Sequence, residues 1–327
     1  MQSLYSLYTQ CFPPSPTFVD SYVGLQLRRV FLITGGNSGL GLELVKRLYP
    51  TGATIYLACR SQERAEAAIQ EVIDVAQKAD ISTPGKLKFL HLDLADLSSI
   101  RKSAAAFTEQ ESRLDILWNN AGIGGCPVGT TTAQGIEGHV GVNCVGALML
   151  TQALLPLLRA AVRDSPPGSV RVVWTASLSI EAFAPVGGAR LDQLNSGSTQ
   201  YPVGDYAQSK VGNWWLAIET ARRYAIYGIV SVAQNPGQLD TDVWKHQAWW
   251  LMILVRPTLY KRSFGAYTML YAGFSKDLVV GDMRYVMPWG RLRIWNECPR
   301  RDIVEAIEKG GPKWFWEWCE ESFRPYM

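Results

Sequence analysis

The chain has 327 residues, of which 47% are hydrophobic and 19% are charged. Its 32 Lys and Arg residues against 29 Asp and Glu residues give a formal net charge of +3. This composition predicts a globular protein with a large core and argues against a nucleic-acid partner, because nucleic-acid-binding proteins concentrate basic residues in patches. Six cysteines without a C-x-x-C pair and three widely separated histidines predict neither a disulfide framework nor a metal site.

No segment of the sequence is predicted to cross a membrane. The longest apolar run, residues 248–255, is shorter than the roughly 20 residues that span a bilayer. Residues 1–20 also lack the basic start, the continuous apolar stretch and the cleavage site of a secretory signal. We therefore expect a cytoplasmic protein.

Apolar runs of strand length alternate with helical patterns through most of the chain. Residues 1–28, which contain three prolines, predict an irregular N-terminal arm before a domain that covers residues 29–327. An apolar face at helical spacing predicts a helix over residues 206–224. The alternation predicts the α/β class, with one doubly wound parallel sheet that carries helices on both faces. The predicted strands cover residues 30–33, 54–58, 87–92, 114–118, 170–174 and 229–233.

A glycine-rich loop with the spacing T-G-x-x-x-G-x-G lies directly between the first strand and the first helix. Gly35 permits a tight turn, Gly39 lets backbone amides approach a pyrophosphate, and Gly41 allows the helix to pack closely while its N-terminus faces the anion. A glycine turn without a ligand is the alternative. The candidate dinucleotide-binding residues of this loop are Thr34, Gly35, Asn37, Ser38, Gly39, Leu40 and Gly41.

The end of the second strand bears on the choice of dinucleotide. An acidic residue at this position usually binds the ribose 2′-hydroxyl of NAD, whereas a nearby arginine suits the 2′-phosphate of NADP. The sequence here reads Cys59 and Arg60, with no acid. We therefore predict NADP (NADPH) as the cofactor; the alternative for Arg60 is a solvated cation at the start of a helix.

Tyr206 and Lys210 are four residues apart and share one face of the predicted helix. A phenol has a reference pKa of about 10, and a neighbouring ammonium lowers it, so Tyr206 would exchange a proton with a substrate oxygen. Ser177 follows the fifth strand, at the sheet edge where open α/β folds bind ligands. Its hydroxyl would bind the reacting oxygen, with Thr175 and Ser179 as rival hydroxyls.

Taken together, these motifs resemble the short-chain dehydrogenase/reductase superfamily. The resemblance covers residues 30–241 and also includes residues 119–122, Asn143 and the Pro236–Gly237 pair. Shorter stretches resemble the retinol-dehydrogenase-related branch and, in particular, its fungal members of secondary metabolism. These stretches are residues 57–60, 286–291 and 314–318.

The resemblance implies a single Rossmann-type domain with a catalytic tetrad of Asn143, Ser177, Tyr206 and Lys210. Lys210 would both lower the pKa of Tyr206 and hold the ribose, and Asn143 would support a proton relay. Capping of the next helix by Asp93 and satisfaction of buried backbone groups by Asn143 are the alternatives. Further cofactor contacts implied by the resemblance are those of Asp93, Asn120, Tyr206, Lys210, Leu239 and Thr241.

The sequence carries a surplus of aromatic residues, with 12 Trp and 14 Tyr. Residues 244–254 are apolar and aromatic, and they lie where the family places a lid over its substrate. This placement predicts a hydrophobic small-molecule substrate. The alternatives are packing in the core, contacts in a homo-oligomer, and peripheral contact with a membrane.

The sequence thus predicts an NADP-dependent oxidoreductase that interconverts a carbonyl and an alcohol on a hydrophobic small molecule, in secondary-metabolite biosynthesis. Two other functions of the same fold stay open. One is a dinucleotide-binding sensor or scaffold without turnover. The other is a non-redox dehydratase or epimerase in which the cofactor returns unchanged.

Overall fold

One eight-stranded sheet organises the chain in this computed structural model, which describes residues 2–196, 201–240 and 256–327. The strand order is β3-β2-β1-β4-β5-β6-β7-β8, with all neighbours parallel except the β7–β8 pair. The predicted doubly wound α/β sheet is thereby confirmed. Its strands are β1 Val30–Thr34, β2 Thr54–Cys59, β3 Lys86–His91, β4 Ile116–Asn119, β5 Arg171–Thr175, β6 Val230–Gln234, β7 Tyr285–Met287 and β8 Arg291–Arg293.

Helices connect the strands and cover the sheet. The α-helices are α1 Gln2–Cys11, α2 Gly39–Leu48, α3 Gln62–Lys78, α4 Leu97–Gln110, α5 Gly138–Val140, α6 Ala147–Ala153, α7 Leu155–Arg163, α8 Ser179–Ala182, α9 Leu191–Ser196, α10 Pro202–Tyr224, α11 Arg262–Phe274, α12 Arg301–Glu308 and α13 Gly311–Phe323. A π-helical turn, Gly141–Gly146, joins α5 to α6. Short 3₁₀ turns lie at Asp20–Tyr22, Tyr49–Thr51, Ala225–Tyr227, Arg256–Thr258, Trp295–Glu297 and Arg324–Tyr326.

The apolar strands separate two hydrophobic layers. Every residue of β1 is buried, as expected for a central parallel strand covered on both faces. Alternate residues point to opposite faces, so Leu32 joins the layer under α4, α10 and α13, whereas Phe31 and Ile33 join the layer under α2, α3 and α11. The six strands predicted from sequence all occur, with ends shifted by one or two residues.

The strand order reverses at the centre of the sheet. β1 pairs with β2 on one side and with β4 on the other, so the crossovers on the two sides run in opposite directions. In such sheets a crevice opens at the carboxyl ends of the two strands where the order reverses. The loop after β1 and the segment after β4 therefore meet at the predicted ligand-binding edge.

The prediction of an irregular N-terminal arm is wrong for its first part, because Gln2–Cys11 forms the helix α1. This segment contains no glycine or proline, and long-range hydrogen bonds from Ser6 and Gln10 hold it against the domain. The prolines follow the helix and end it, since proline disfavours the α conformation in the preceding residue. Between α1 and β1 the only regular element described is the short turn Asp20–Tyr22.

The C-terminal region extends the fold beyond the predicted strands. β7 and β8 have three residues each and carry no alternation that distinguishes them in the sequence. The tryptophan-rich helix α13 packs on α10, where Trp214, Trp215 and Trp316 are buried. These three tryptophans pack in the core. The predicted lid and its alternatives concern residues 244–254, which lie outside the described part.

Within residues 2–196, 201–240 and 256–327, no single helix is long and apolar enough to cross a membrane. One pair, Gly138–Ala153 with Leu155–Arg163, passes the length and composition criteria together but is bent by 50°.

Candidate active site

The loop between β1 and α2 has the conformation that its glycines predict. Gly35 and Gly39 adopt φ values of +68° and +56°, in the left-handed region that favours glycine. A side-chain carbon on Gly41 would lie 2.4 Å from the carbonyl oxygen of Gly35, so this position requires glycine for close packing. Ser38 gives no side-chain hydrogen bond to the first turn of α2. The N-terminus of α2 therefore faces the loop without a side-chain cap.

Thr34 and Asn120 tie the loop to the end of β4. The Thr34 hydroxyl is fully buried, donates to the carbonyl of Trp118 (3.2 Å), and accepts from the backbone amides of Asn120 (3.0 Å) and Ala121 (2.8 Å). The Asn120 side-chain amide donates to the Thr34 carbonyl (2.8 Å). The side chain of Thr34 is thus part of the scaffold that supports the loop, and the contact of this residue with the cofactor stays a prediction.

Leu40 and Leu239 approach each other at helix α11. A side-chain carbon on Gly265 would lie 2.9 Å from Cδ1 of Leu40 and 2.3 Å from Cδ1 of Leu239. The structure therefore brings together two predicted cofactor contacts from opposite ends of the motif. Thr241, a third, lies outside the described residues. In the same loop, Asn37 is partly exposed and Ser38 is exposed.

Arg60 and Asp93 occupy the ends of β2 and β3. Arg60 follows Cys59 directly and is exposed, as a contact to a 2′-phosphate requires. Asp93 accepts from the backbone amide of Ala95 (2.9 Å), whereas the side chain that caps α4 is Asp96, through the amide of Ser98. The alternative in which Asp93 caps the next helix is therefore wrong.

Ser177 and Tyr206 lie close together, since hydrogen bonding with the Ser177 side chain lowers the pKa of the Tyr206 phenol. Protein packed around the Tyr206 hydroxyl raises its pKa, and the bond with Ser177 partly opposes this shift. The rival hydroxyls have other surroundings: Thr175 accepts from Gln234 (3.0 Å), and the Ser179 hydroxyl is buried without a hydrogen-bond partner. Ser177 is thus the hydroxyl that the fold places beside Tyr206.

Lys210 is buried one helical turn after Tyr206. Its Nζ donates to the carbonyl of Thr175 (3.0 Å) and lies 5.6 Å from the ring centroid of Tyr206. Burial lowers the pKa of Lys210 to about 8. The net shift of the Tyr206 pKa is upward because burial of the phenol dominates, and the lowering expected from the Lys210 charge stays a prediction.

Asn143 lies in the π-helical turn and completes the predicted group of four. Its Oδ1 accepts from the amide of Ile123 (2.8 Å), and its Nδ2 donates to the Ile123 carbonyl (3.1 Å) and the Ser209 hydroxyl (2.9 Å). The Ser209 hydroxyl in turn donates to the carbonyl of Tyr206 (2.7 Å). A side-chain carbon on Gly122 would lie 3.0 Å from Oδ1 of Asn143 and 3.2 Å from Nζ of Lys210. Asn143 therefore satisfies the backbone groups of Ile123, and its side chain and that of Lys210 both lie close to Gly122.

Comparison with known proteins agrees with this geometry. The family described as short chain dehydrogenase matches residues 29–186. The short-chain dehydrogenase/reductase iacJ of Pestalotiopsis fici is 50% identical over 331 residues, which cover 100% of this chain and 100% of that protein. The chain belongs to the short-chain dehydrogenase/reductase family. Together with a 40% identical relative from Phomopsis amygdali, over 99% of this chain and 98% of that protein, this confirms the predicted family and fungal resemblance.

Two solved structures extend the comparison to the fold. An uncharacterised protein of Mycobacterium paratuberculosis superimposes with a TM-score of 0.66 at 28% identity, covering 94% of this chain and 97% of that chain. The NADPH-bound carbonyl reductase from chicken fatty liver gives a TM-score of 0.59 at 25% identity, covering 83% and 100%. The chain is therefore an oxidoreductase of the short-chain dehydrogenase/reductase family, whose members bind a nicotinamide dinucleotide.

The glycine loop of this family member fits such a dinucleotide. A side-chain carbon on Gly39 would project into open space beside the first turn of α2, where a pyrophosphate has room to approach the backbone. The loop residues and the end of β2 would hold the adenosine half. Lys210, Tyr206 and the segment around Gly122 would face the nicotinamide half.

Two buried residues beside Tyr206, His139 and Glu137, were not predicted from the sequence of this short-chain dehydrogenase/reductase. The His139 ring meets the Tyr206 ring edge-on at 6.1 Å, and its Nδ1 lies 2.8 Å from Oε1 of the buried Glu137. Burial alone would raise the pKa of Glu137, but hydrogen bonds from His139 and the backbone reverse this effect and lower it.

Among the described residues, no group of three or more His, Cys, Asp or Glu side chains is arranged to hold a metal ion.

Proposed function

We propose that this protein is an NADP-dependent enzyme that interconverts a carbonyl and an alcohol on a hydrophobic small molecule. One observation carries the proposal. The Ser177 side chain lies within hydrogen-bonding reach of the Tyr206 phenol, and Nζ of Lys210 lies 5.6 Å from the centroid of the Tyr206 ring, at the carboxyl edge of the sheet. A carbonyl oxygen bound there would meet two hydroxyl donors.

The protonation of Tyr206 favours reduction of the carbonyl at neutral pH. Because its pKa is raised, the phenol keeps its proton and can donate it to the substrate oxygen. The oxygen–hydrogen bond of Tyr206 breaks as the new alcohol forms, and the Lys210 charge stabilises the resulting phenolate. A nicotinamide dinucleotide, when bound, would supply the hydride. Ser177 would orient the carbonyl oxygen toward the phenol.

The choice of NADP rests on Arg60. Its exposed guanidinium follows β2, where a 2′-phosphate would lie, and no acidic side chain occupies this position. The similar carbonyl reductase from chicken fatty liver was solved with NADPH bound. Both observations support NADP as the cofactor.

The proposal of a hydrophobic substrate rests on the residues around the turn after β6. Trp289 lies against Gly237, where a side-chain carbon would be 2.5 Å from its Cζ3, and it contacts the rings of Tyr260 and Phe264. This aromatic wall and the apolar sequence of residues 244–254 suit a large apolar molecule. The fungal relatives support a place in secondary-metabolite biosynthesis.

Replacement of Tyr206 tests the reaction. We expect Tyr206→Phe to lower kcat for reduction of an apolar ketone by about 10²- to 10⁴-fold, the usual contribution of a general acid, and to leave the Kd for NADPH within about twofold. Tyr22→Phe, at an exposed tyrosine of the N-terminal segment, is the matched control. Near-normal turnover by Tyr206→Phe would contradict the assignment. Product formation without net NADPH oxidation would favour a dehydratase or epimerase, and binding without turnover of any tested ketone, quinone or alcohol would favour a sensor.

Replacement of Arg60 tests the cofactor. A charge-assisted hydrogen bond contributes about 1.5 kcal/mol or more, so Arg60→Ala should raise the Kd for NADPH about tenfold and leave the Kd for NADH unchanged. Arg64→Ala, at an exposed arginine one turn further along α3, is the matched control. Equal effects of Arg60→Ala on both dinucleotides would refute a contact with the 2′-phosphate.

A further inference from the structure

The loop that carries Ser177 continues directly into a very short helix. The Ser177 hydroxyl accepts a hydrogen bond from the amide of Ser179 (3.1 Å). The backbone carbonyl of Ser177 accepts from the amide of Ile180 (3.3 Å) and from the Tyr285 hydroxyl (3.5 Å). α8 has only four residues, too few for a helix to be stable by itself. The position of the Ser177 hydroxyl therefore depends on whatever fixes α8 from outside.

Glu181 fixes α8 to two distant parts of the chain. Its side chain is buried, with 4% of its surface exposed, and it forms an ion pair with Arg293 of β8 (2.6 Å). Its Oε1 also accepts from Gln10 (2.8 Å) and its Oε2 from Ser6 (2.7 Å). Two of these partners come from α1, near the start of the chain, and the third comes from β8, near its other end.

Gln10 connects this cluster to a second loop of the active site. While its Nε2 donates to Glu181, its Oε1 accepts from Nδ2 of Asn235 (2.9 Å), and Oδ1 of Asn235 accepts from the amide of Gly237 (3.0 Å). One buried glutamine thus bridges the loops that follow β5 and β6. These loops carry Ser177 and the predicted nicotinamide-side turn.

The way α1 binds the domain indicates a positioning role. Its polar Ser6 and Gln10 face the domain, with Gln10 1% exposed, whereas the apolar Leu4 and Tyr5 are 73% and 71% exposed. A helix attached only to bury apolar surface would have the opposite orientation. Hydrogen bonds, unlike apolar contacts, specify distance and direction.

We propose that Gln10 of the N-terminal helix is a positioning residue that, through Glu181 and Asn235, holds the Ser177 loop in register with the loop after β6. The proposal rests on the proposed function, in which Ser177 orients the substrate carbonyl. It assigns to α1 a part mainly in turnover, since its described hydrogen bonds reach the Ser177 loop and, through Asn235, the turn after β6, but not the glycine loop that would hold the pyrophosphate.

The test combines kinetics with amide hydrogen exchange on the full-length protein. Gln10→Ala should lower kcat for carbonyl reduction at least fivefold, keep the Kd for NADPH within twofold, and speed exchange of the amides at residues 178–182. In a Ser177→Ala background the same change should cause no further loss of kcat, because the residue it positions is already gone. Ser3→Ala, at an exposed residue of the same helix, is the control and should change nothing.

An equal loss of kcat from Gln10→Ala in the presence and absence of Ser177 would overturn the proposal, as would unchanged exchange at residues 178–182. Failure of the proposed function is distinguishable. If the wild-type protein reduces no carbonyl, the proposed function is wrong, and the exchange measurement, which needs no turnover, decides alone whether Gln10 holds this loop. Ser6→Ala, which removes one partner of Glu181 but leaves the bridge from Gln10 to Asn235, should give a smaller effect of the same sign on exchange.

Discussion

At the scale of single residues, burial sets the charge of the two groups that we propose handle the proton. It raises the pKa of Tyr206, which keeps the phenol protonated, and it lowers the pKa of Lys210 to about 8. Desolvation disfavours whichever form is charged, so the same cause moves an acid and a base in opposite directions. The site thereby gains a proton donor whose neighbouring cation is lost at mildly alkaline pH.

This arrangement predicts an alkaline limit to activity. Lys210 is charged below its pKa and neutral above it, so kcat/KM for NADPH, which reports the free enzyme, should fall as pH rises through about 8. The loss should approach tenfold per pH unit. The measurement is a pH profile of NADPH oxidation from pH 6 to 10. Ser177→Ala should be slower but keep the same midpoint, since the described contacts of Lys210 do not include Ser177; a flat profile to pH 9.5 would contradict the assignment.

Only some of these residues could be predicted from sequence. Tyr206 and Lys210 lie one helical turn apart, and Ser177 follows a recognisable strand, so local spacing is enough to find them. Glu181 contacts Gln10 and Arg293, which are 171 and 112 residues away, and no local pattern connects them. Such partners are fixed only when the sheet brings both ends of the chain to one edge.

At the scale of elements, the long helix α10 is buried on nearly all sides. It packs on β6 and on α13, and the two helices meet closely at Gly212. A side-chain carbon there would lie 2.6 Å from Cζ of Phe315 and 2.7 Å from Sγ of Cys144. The periodicity of α10 was sufficient to predict it as a helix, whereas α1 was not predicted because its stability comes from polar contacts made only in the folded protein.

The close approach of α10 and α13 predicts a cost for any larger side chain at Gly212. Gly212→Ala should destabilise the protein by about 1–3 kcal/mol through overpacking, even though alanine favours a helix. Phe315→Leu in the same chain should recover part of that loss, because it removes the ring that the new methyl group meets. Urea unfolding of the two single variants and the double variant measures this coupling. Strictly additive effects would show that the two helices do not meet as described.

At the scale of the whole molecule, the two edges of the sheet have different roles. The carboxyl edge carries Ser177, the glycine loop and the turn after β6, whereas the amino edge carries the fully buried Asp115, just before β4. The Asp115 carboxylate accepts from the backbone amide of Val30 (2.9 Å) and forms ion pairs with Arg29 (3.2 Å) and Arg113 (2.7 Å). It thereby joins the starts of β1 and β4, the two central strands, at the edge remote from the chemistry.

Because of this separation, stability and activity should respond to different substitutions. Asp115→Asn removes the negative charge that pairs with both arginines, and we expect the free energy of unfolding to fall by about 3 kcal/mol. This value is at the low end for a broken buried ion pair, because both arginines keep contact with water. The Kd for NADPH should stay within twofold well below the unfolding transition. Asp192→Asn, which breaks an exposed pair with Arg190, is the matched control and should leave the urea midpoint unchanged. A weaker NADPH affinity in Asp115→Asn without a change in the urea midpoint would mean that the two edges are coupled, contrary to the division that the strand order imposes.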